Sequence, residues 1–137
     1  ATTAADSSFE ASLPAFEDFM RQVGERVPRC RKIFLELRNS ITSNHNLLAA
    51  VLLADGQFHH TGIYDIDHEV DRVGAGDAFV GGLIYGLLAY PDDAQKGLDF
   101  ALAASALKNT VYGDFNQVTV EEVESLMRGN TSGRVSR

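Results

Sequence analysis

The residues best placed to do chemistry lie in one short run, Asp71-Arg72-Val73-Gly74-Ala75-Gly76-Asp77, which leads directly into the apolar and small-residue segment Ala78–Ala89. At a helix start, successive backbone N–H groups are unpaired and point outward, and the helix dipole favours negative charge there. With glycine at 74 and 76 the backbone can approach an anion closely; a branched residue at Gly76 would block that approach and disfavour any positive φ. Asp77 falls in the first turn, where a carboxylate is stabilised in its charged form and can take a proton from an attacking hydroxyl. An anion hole beside a base suits phosphoryl transfer, in which positioning and electrostatics outweigh covalent chemistry. Taken singly these features are bland: a glycine-rich turn before a helix is common, and Asp77 could serve only the helix start. The run is no Walker A loop, since no Gly-Lys-Ser/Thr follows. Nor is it a dinucleotide fingerprint, since Phe79 stands where the third glycine or alanine belongs.

The elements that must hold this run are legible from periodicity and turn chemistry. Phe9, Leu13, Phe16, Phe19, Met20, Val23 and Val27 recur at spacings of three and four, which predicts a helix capped by Ser7 or Ser8 and closed by Pro28. Pro14 lies inside it, so regular helix is expected only from there. Ile33–Leu37 predicts a short strand, Arg38–Asn46 a polar loop without glycine, and Leu47–Asp55 a second strand. Asp55-Gly56 is then a hairpin turn into a partner strand over Gln57–Tyr64. Beyond the motif, Tyr90-Pro91-Asp92-Asp93 stops one helix and caps the next, Ala94–Lys108. Asn109–Val118 is a loop, and Thr119-Val120-Glu121-Glu122 is a capping box opening a last helix to Arg128. Residues 1–128 read as one unit and 129–137 as a flexible tail. The fold class is α/β: a short sheet with a hairpin, about three strands, flanked by about four helices. Nothing obvious covers the far side of that sheet, and the chain reads as the second half of a larger one.

The bulk composition narrows the partners. The 137 residues suffice for one domain, and a net charge of −7 without a basic patch argues against nucleic acid or an anionic membrane. Cys30, the only cysteine, makes neither a disulfide nor a thiolate cluster; it lies between Arg29 and Arg31 and is expected to be buried or inert. His59, His60 and His68 fall on strand-like segments as surface or edge residues, without the spacing of zinc ligands, so no metal site is expected. Asp65–Glu69 superficially suggests a calcium loop, but Val70 occupies the place of the turn glycine. The amino-terminal residues lack a signal-peptide pattern and the longest apolar run, Leu47–Ala54, is too short to span a membrane, so a cytoplasmic protein is expected.

As a whole, Asp71–Gly82 resembles the C-terminal signature of the PfkB family of ribokinase-like carbohydrate kinases, usually Asp-Thr-x-Gly-Ala-Gly-Asp before an apolar helix. Arg72, the continuation Leu83-Ile84-Tyr85-Gly86-Leu87 and the loop Gly113-Asp114-Phe115-Asn116 are similar to the 2-keto-3-deoxygluconate kinases within it, and the likeness runs from about Ile33 to Arg128. The resemblance implies a ribokinase-like fold of which this chain holds the C-terminal half. It implies transfer of the γ-phosphoryl of ATP, with Mg2+, to a hydroxyl of a sugar acid such as 2-keto-3-deoxygluconate. It assigns Asp77 as general base and the N–H groups of Gly74, Ala75, Gly76 and Asp77 as the anion hole. Asn109, Gly113 and Asp114 would lie along the adenine, and the Arg38–Asn46 loop on the phosphate side, with contacts from Arg38, Ser40 or Asn44. Arg72 replaces the family's usual Thr beside a monovalent-cation site. The family's sugar pocket, lid strands and magnesium-organising Asn-x-x-Glu belong to an N-terminal half that this sequence lacks, so the isolated chain is expected to be inactive and to self-associate or pair with that half. The alternative is a non-catalytic nucleotide- or phosphate-binding module.

Overall fold

The computed structural model describes residues 4–129, in the order α1 (Ala4–Arg26), β1 (Lys32–Thr42), β2 (His45–Ala54), β3 (Gln57–His60), β4 (Tyr64–Ile66), α2 (Ala75–Ala89), α3 (Ala94–Lys108) and α4 (Val120–Gly129). β2 is the centre of a four-stranded antiparallel sheet. One of its edges pairs with β1, from Lys32 opposite Ala54 to Thr42 opposite His45. The other edge pairs with β3 and then with β4, which together replace the single strand expected over Gln57–Tyr64. Thr61 closes the gap between them: its N–H donates to the Ala50 carbonyl (3.0 Å) and its Oγ1 accepts from the Ala50 N–H (2.9 Å). The Asp55-Gly56 turn has φ of 50° and 83°, the primed geometry that follows the twist of a hairpin.

β2 is apolar from Leu47 to Ala54 because both its faces are covered there. Leu48, Ala50, Leu52 and Ala54 join Phe79, Leu83, Leu98 and Leu102 in the larger core, while Val51 and Leu53 pack with Met20, Phe16, Ile33 and Leu35. The far face of the sheet, expected to be bare, is therefore covered by α1. That helix runs unbroken from Ala4, so neither a start at Pro14 nor a cap at Ser7 or Ser8 holds. Pro14 is exposed, so the carbonyl left without its N–H faces water, and the Ser8 carbonyl accepts within the helix from Ser12 Oγ (2.9 Å).

The Arg38–Asn46 segment is not a loop. β1 continues to Thr42, turns in two residues at Ser43-Asn44, and returns as β2; its polar residues reflect an outer edge strand facing solvent. No residue of that turn has positive φ, and the pair accommodates it by a register irregularity between Ser40 and Thr42. Cys30, expected to be buried or inert, is exposed, and its Sγ donates to the Lys32 carbonyl (3.1 Å).

α2 and α3 form a tight antiparallel pair joined through Asp93, whose side chain accepts from the Lys96 N–H (2.9 Å). A Cβ on Gly86 would stand 2.8 Å from the Gly97 Cα and one on Gly82 3.1 Å from the Ala101 Cα, so the helices touch backbone to backbone. The expected capping box is present: Thr119 N–H donates to Glu122 Oε2 (2.9 Å) and Glu122 N–H to Thr119 Oγ1 (3.3 Å). Gly129, assigned to the tail from sequence, is instead the last residue of α4, and residues 130–137 lie outside the described residues. Among the described residues no helix is long and apolar enough to cross a membrane.

Candidate active site

The polypeptide reaches the site from β4 through a segment pinned by its backbone. Glu69 N–H donates to the Asn44 carbonyl (2.9 Å), and Val70 and Asp71 N–H both donate to the Asn109 carbonyl (2.9 and 3.3 Å). Asp71 then ties two loops together. Its carboxylate accepts from Val73 N–H (3.0 Å) and from Gly113 N–H (3.0 Å). Those two bonds, Val73's first, hold the Asp71 carboxyl below the usual carboxylate range, with a further contribution from the charge of Lys108.

Gly74 is the N-cap of α2, with φ 80° and ψ 0°, and a Cβ there would lie 2.6 Å from the Asp114 carbonyl oxygen. Glycine is required at this position twice over, for its left-handed backbone and for the close approach. Gly76, by contrast, has no positive φ and a Cβ there would meet nothing within 4 Å. α2 begins at Ala75, so the motif itself forms the first helical turn. Ala75 N–H is already used by the Arg72 carbonyl (3.1 Å), which removes it from the four expected donors. The N–H groups of Gly74, Gly76 and Asp77 have no partner among the described residues.

Asp77, two residues after Ala75 in the first turn, is exposed, and its side chain makes no hydrogen bond among the described residues. It lines a cavity of about 310 Å³ together with Gly74, Gly81 and Tyr85 of the motif and α2, and Asp114 and Asn116 of the following loop; Phe100, Val118 and Val123 supply apolar walls. A carboxylate, a positively polarised helix end and an apolar cleft thus meet in one place. An anion can be held there beside a group able to accept a proton.

Of the other residues expected at the site, Gly113 and Asp114 are brought against the motif, through Asp71 and Gly74 respectively. Arg38, Ser40 and Asn109 are not; they surround Glu69 instead. Arg38 donates through Nη1 to Glu69 Oε1 (3.3 Å) and through Nη2 to Asn109 Oδ1 (3.1 Å). Asn46 Nδ2 also donates to Glu69, while Ser40 Oγ donates to Asn46 Oδ1 (2.6 Å). Asn109 is fully buried and its Nδ2 donates to the Ser105 carbonyl (2.7 Å), so its side chain cannot lie along a nucleotide as expected. The carboxylates of Asp71 and Glu69 organise the site, and reading the sequence alone gave neither of them a role. Asp71 had a signal, since Asp-x-Val-Gly is the pattern of an aspartate bonding its own backbone two residues on; Glu69 had none.

A helix hairpin on a short antiparallel sheet, with unpaired N–H groups and an aspartate in the first turn of its first helix, is an arrangement of the ribokinase-like fold class. The pfkB family carbohydrate kinase model matches residues 48–120, just over half of the chain, and the chain belongs to that family. It is similar to the 2-dehydro-3-deoxygalactonokinase of Haloferax volcanii, 38% identical over 78 residues, covering 57% of this chain and 24% of that protein. Among solved structures it is similar to the 2-dehydro-3-deoxygluconokinase of Thermotoga maritima, with 41% identity, a TM-score of 0.78, and coverage of 85% of this chain and 35% of that one. A PfkB family carbohydrate kinase from Listeria grayi superposes with a TM-score of 0.74 at 28% identity, over 81% of this chain and 34% of the other. The chain thus spans about a quarter of the curated relative and about a third of the solved ones.

Proposed function

We propose that this chain is the nucleotide-side part of an ATP-dependent kinase for a 2-keto-3-deoxy sugar acid. The observation that carries the reading is the trio of free N–H groups at Gly74, Gly76 and Asp77 beside the unpaired carboxylate of Asp77. The N–H groups hold the γ-phosphoryl oxygens of ATP. Asp77 takes the proton of the attacking sugar hydroxyl as its oxygen bonds to phosphorus and the bond to the ADP oxygen breaks. The cleft walled by Tyr85, Asp114 and Asn116 receives the nucleotide, and Arg38, Ser40 and Asn109 support it indirectly through Glu69 and the 69–71 backbone. Magnesium accompanies the triphosphate in this reading. A cytoplasmic setting, where ATP is available, belongs to the same reading.

In this reading the acceptor site belongs to the length of the relatives that the chain does not span, and the chain alone binds ATP without transferring its phosphoryl group. Two features fit pairing with such a partner segment or with a second copy. The outer edge of β1 is unpaired among the described residues, and α2 exposes Val80, Ile84 and Leu88 in one stripe. A non-catalytic nucleotide- or phosphate-binding module is the second reading, since the unpaired N–H groups at Gly74, Gly76 and Asp77 suffice to hold an anion without an acceptor. Calorimetric titration with ATP, beside a coupled assay with 2-keto-3-deoxygluconate in a chain completed by an N-terminal half, separates the two. Binding with turnover in the completed enzyme supports the kinase; binding with none supports the module, and no binding by either protein refutes both.

A further inference from the structure

Lys108 is the last residue of α3 and is completely buried, an unusual place for a lysine. An ammonium carries three N–H donors, yet among the described residues Lys108 Nζ makes one hydrogen bond, to the Val111 carbonyl (3.2 Å). Burying a charge so sparsely bonded is costly unless other charges compensate. Two features supply compensation. The C-terminus of α3 carries partial negative charge, and the Asp71 carboxylate feels the charge of Lys108. The helix register fixes where the Lys108 backbone lies, and its Nζ is held at the Val111 carbonyl. With Gly86 opposite Gly97 and Gly82 opposite Ala101, the antiparallel pair brings Lys108 level with Ala75, the first residue of α2.

We propose that Lys108 is a positioning residue for the anion hole: its buried ammonium holds Val111 and Asp71, and through Asp71 fixes the Val73–Gly74 and Gly113–Asp114 backbones that flank the free N–H groups. The inference rests on reading those N–H groups as phosphate-binding. The contacts in this chain of support are Nζ to Val111, Asp71 to Val73 and Gly113, and Gly74 against Asp114, while Lys108 reaches Asp71 through its charge and not through a hydrogen bond or ion pair. The ammonium also places a fixed positive charge near the helix start, where it adds to the field drawing a phosphoryl group in.

Lys108→Met keeps the length of the side chain and removes its charge; Lys108→Ala leaves a space for a small cation. Amide exchange by NMR and ATP titration by calorimetry are compared in the wild type and both variants. In K108M the amides of Val73 and Gly113 exchange about tenfold faster or more relative to the α2–α3 core, and ATP affinity falls about tenfold. In K108A, ammonium chloride restores slow exchange and ATP affinity, whereas tetramethylammonium chloride, too large for the vacated space, does not. Unchanged exchange at Val73 and Gly113 in K108M overturns the positioning role whatever happens to ATP. Faster exchange in a protein whose wild type binds no ATP upholds the positioning role and overturns the phosphate reading. Should K108M fail to fold, the thermal midpoint of K108A decides: a gain specific to ammonium upholds the role, and the absence of one refutes it.

Discussion

Replacing Gly74 by alanine tests the most constrained point of the site. The new Cβ would stand 2.6 Å from the Asp114 carbonyl oxygen, so that backbone must retreat by roughly 1 Å to reach ordinary contact. The residue must also keep φ near 80°, which costs an L-residue about 1–2 kcal/mol. Strain and displacement together should destabilise the protein by about 2–4 kcal/mol, a fall in the thermal midpoint on the order of 10 °C. Since Asp114 lines the cleft, ATP affinity should fall with it. Gly76→Ala is the control, because a Cβ there meets open space on an ordinary helical backbone. It should raise stability by about 0.5–1 kcal/mol, through helix propensity, while weakening ATP binding by placing a methyl group where phosphate must come. Thermal unfolding followed by circular dichroism, beside ATP titration, reads both variants. If Gly74→Ala is as stable as wild type, or Gly76→Ala is the more damaged of the two, the geometry argued for this turn is wrong.

Three other outcomes follow from the same contacts. In a complete kinase containing this chain, Asp77→Asn should lower turnover by roughly a hundredfold or more while leaving nucleotide affinity nearly unchanged; wild-type kcat would remove Asp77 from its role as base. Burial pushes the Glu36 carboxyl up, a rise only partly offset by the Ser105 hydroxyl and the Arg38 charge. A raised folded-state value means that stability is lost as pH rises from below the ordinary glutamate value through the raised one. Glu36→Gln should therefore unfold at a higher temperature than wild type at pH 7, with the gap closing near pH 4; a gap independent of pH would contradict this. Ile84→Glu, on the exposed stripe of α2, should reduce any self-association seen by light scattering without lowering the thermal midpoint, and an unchanged size distribution would place the contact elsewhere.

The motif was legible because its chemistry is local: two glycines and an aspartate at a helix start declare themselves over seven positions, although the left-handed backbone falls at Gly74 and not at Gly76. The helix hairpin and the capping box at Thr119 were legible for the same reason. What escaped depends on neighbours distant in sequence. Arg38–Asn46 reads as a loop because an edge strand facing water is polar, and its partner Glu69 is thirty-one residues away from Arg38. Pro14 argued for a helix start, but the apolar stripe of α1 against β1 and β2 outweighs one missing hydrogen bond on the solvent side. Asn109 looked like a polar loop residue available to a nucleotide, whereas three segments converge to bury it. Lys108 entered the sequence reading only as the end of the helix Ala94–Lys108, and its burial depends on the depth of α3 in the fold.

The contact between Gly86 and Gly97 has an evolutionary consequence. Gly86 stands eleven residues along α2 from Ala75, roughly 16 Å of helix. A methyl group added at Gly86 would meet the Gly97 backbone at 2.8 Å and force the two helices apart, while one at Gly97, 3.1 Å from Gly86, would ask for a smaller shift; either displaces the pair that carries the helix start. Substitutions that never touch the cleft can therefore disturb it, most of all at Gly86, where a side chain fits only if the helix pair shifts. The mutational tolerance of the site is set as much by that remote crossing as by the residues that line it.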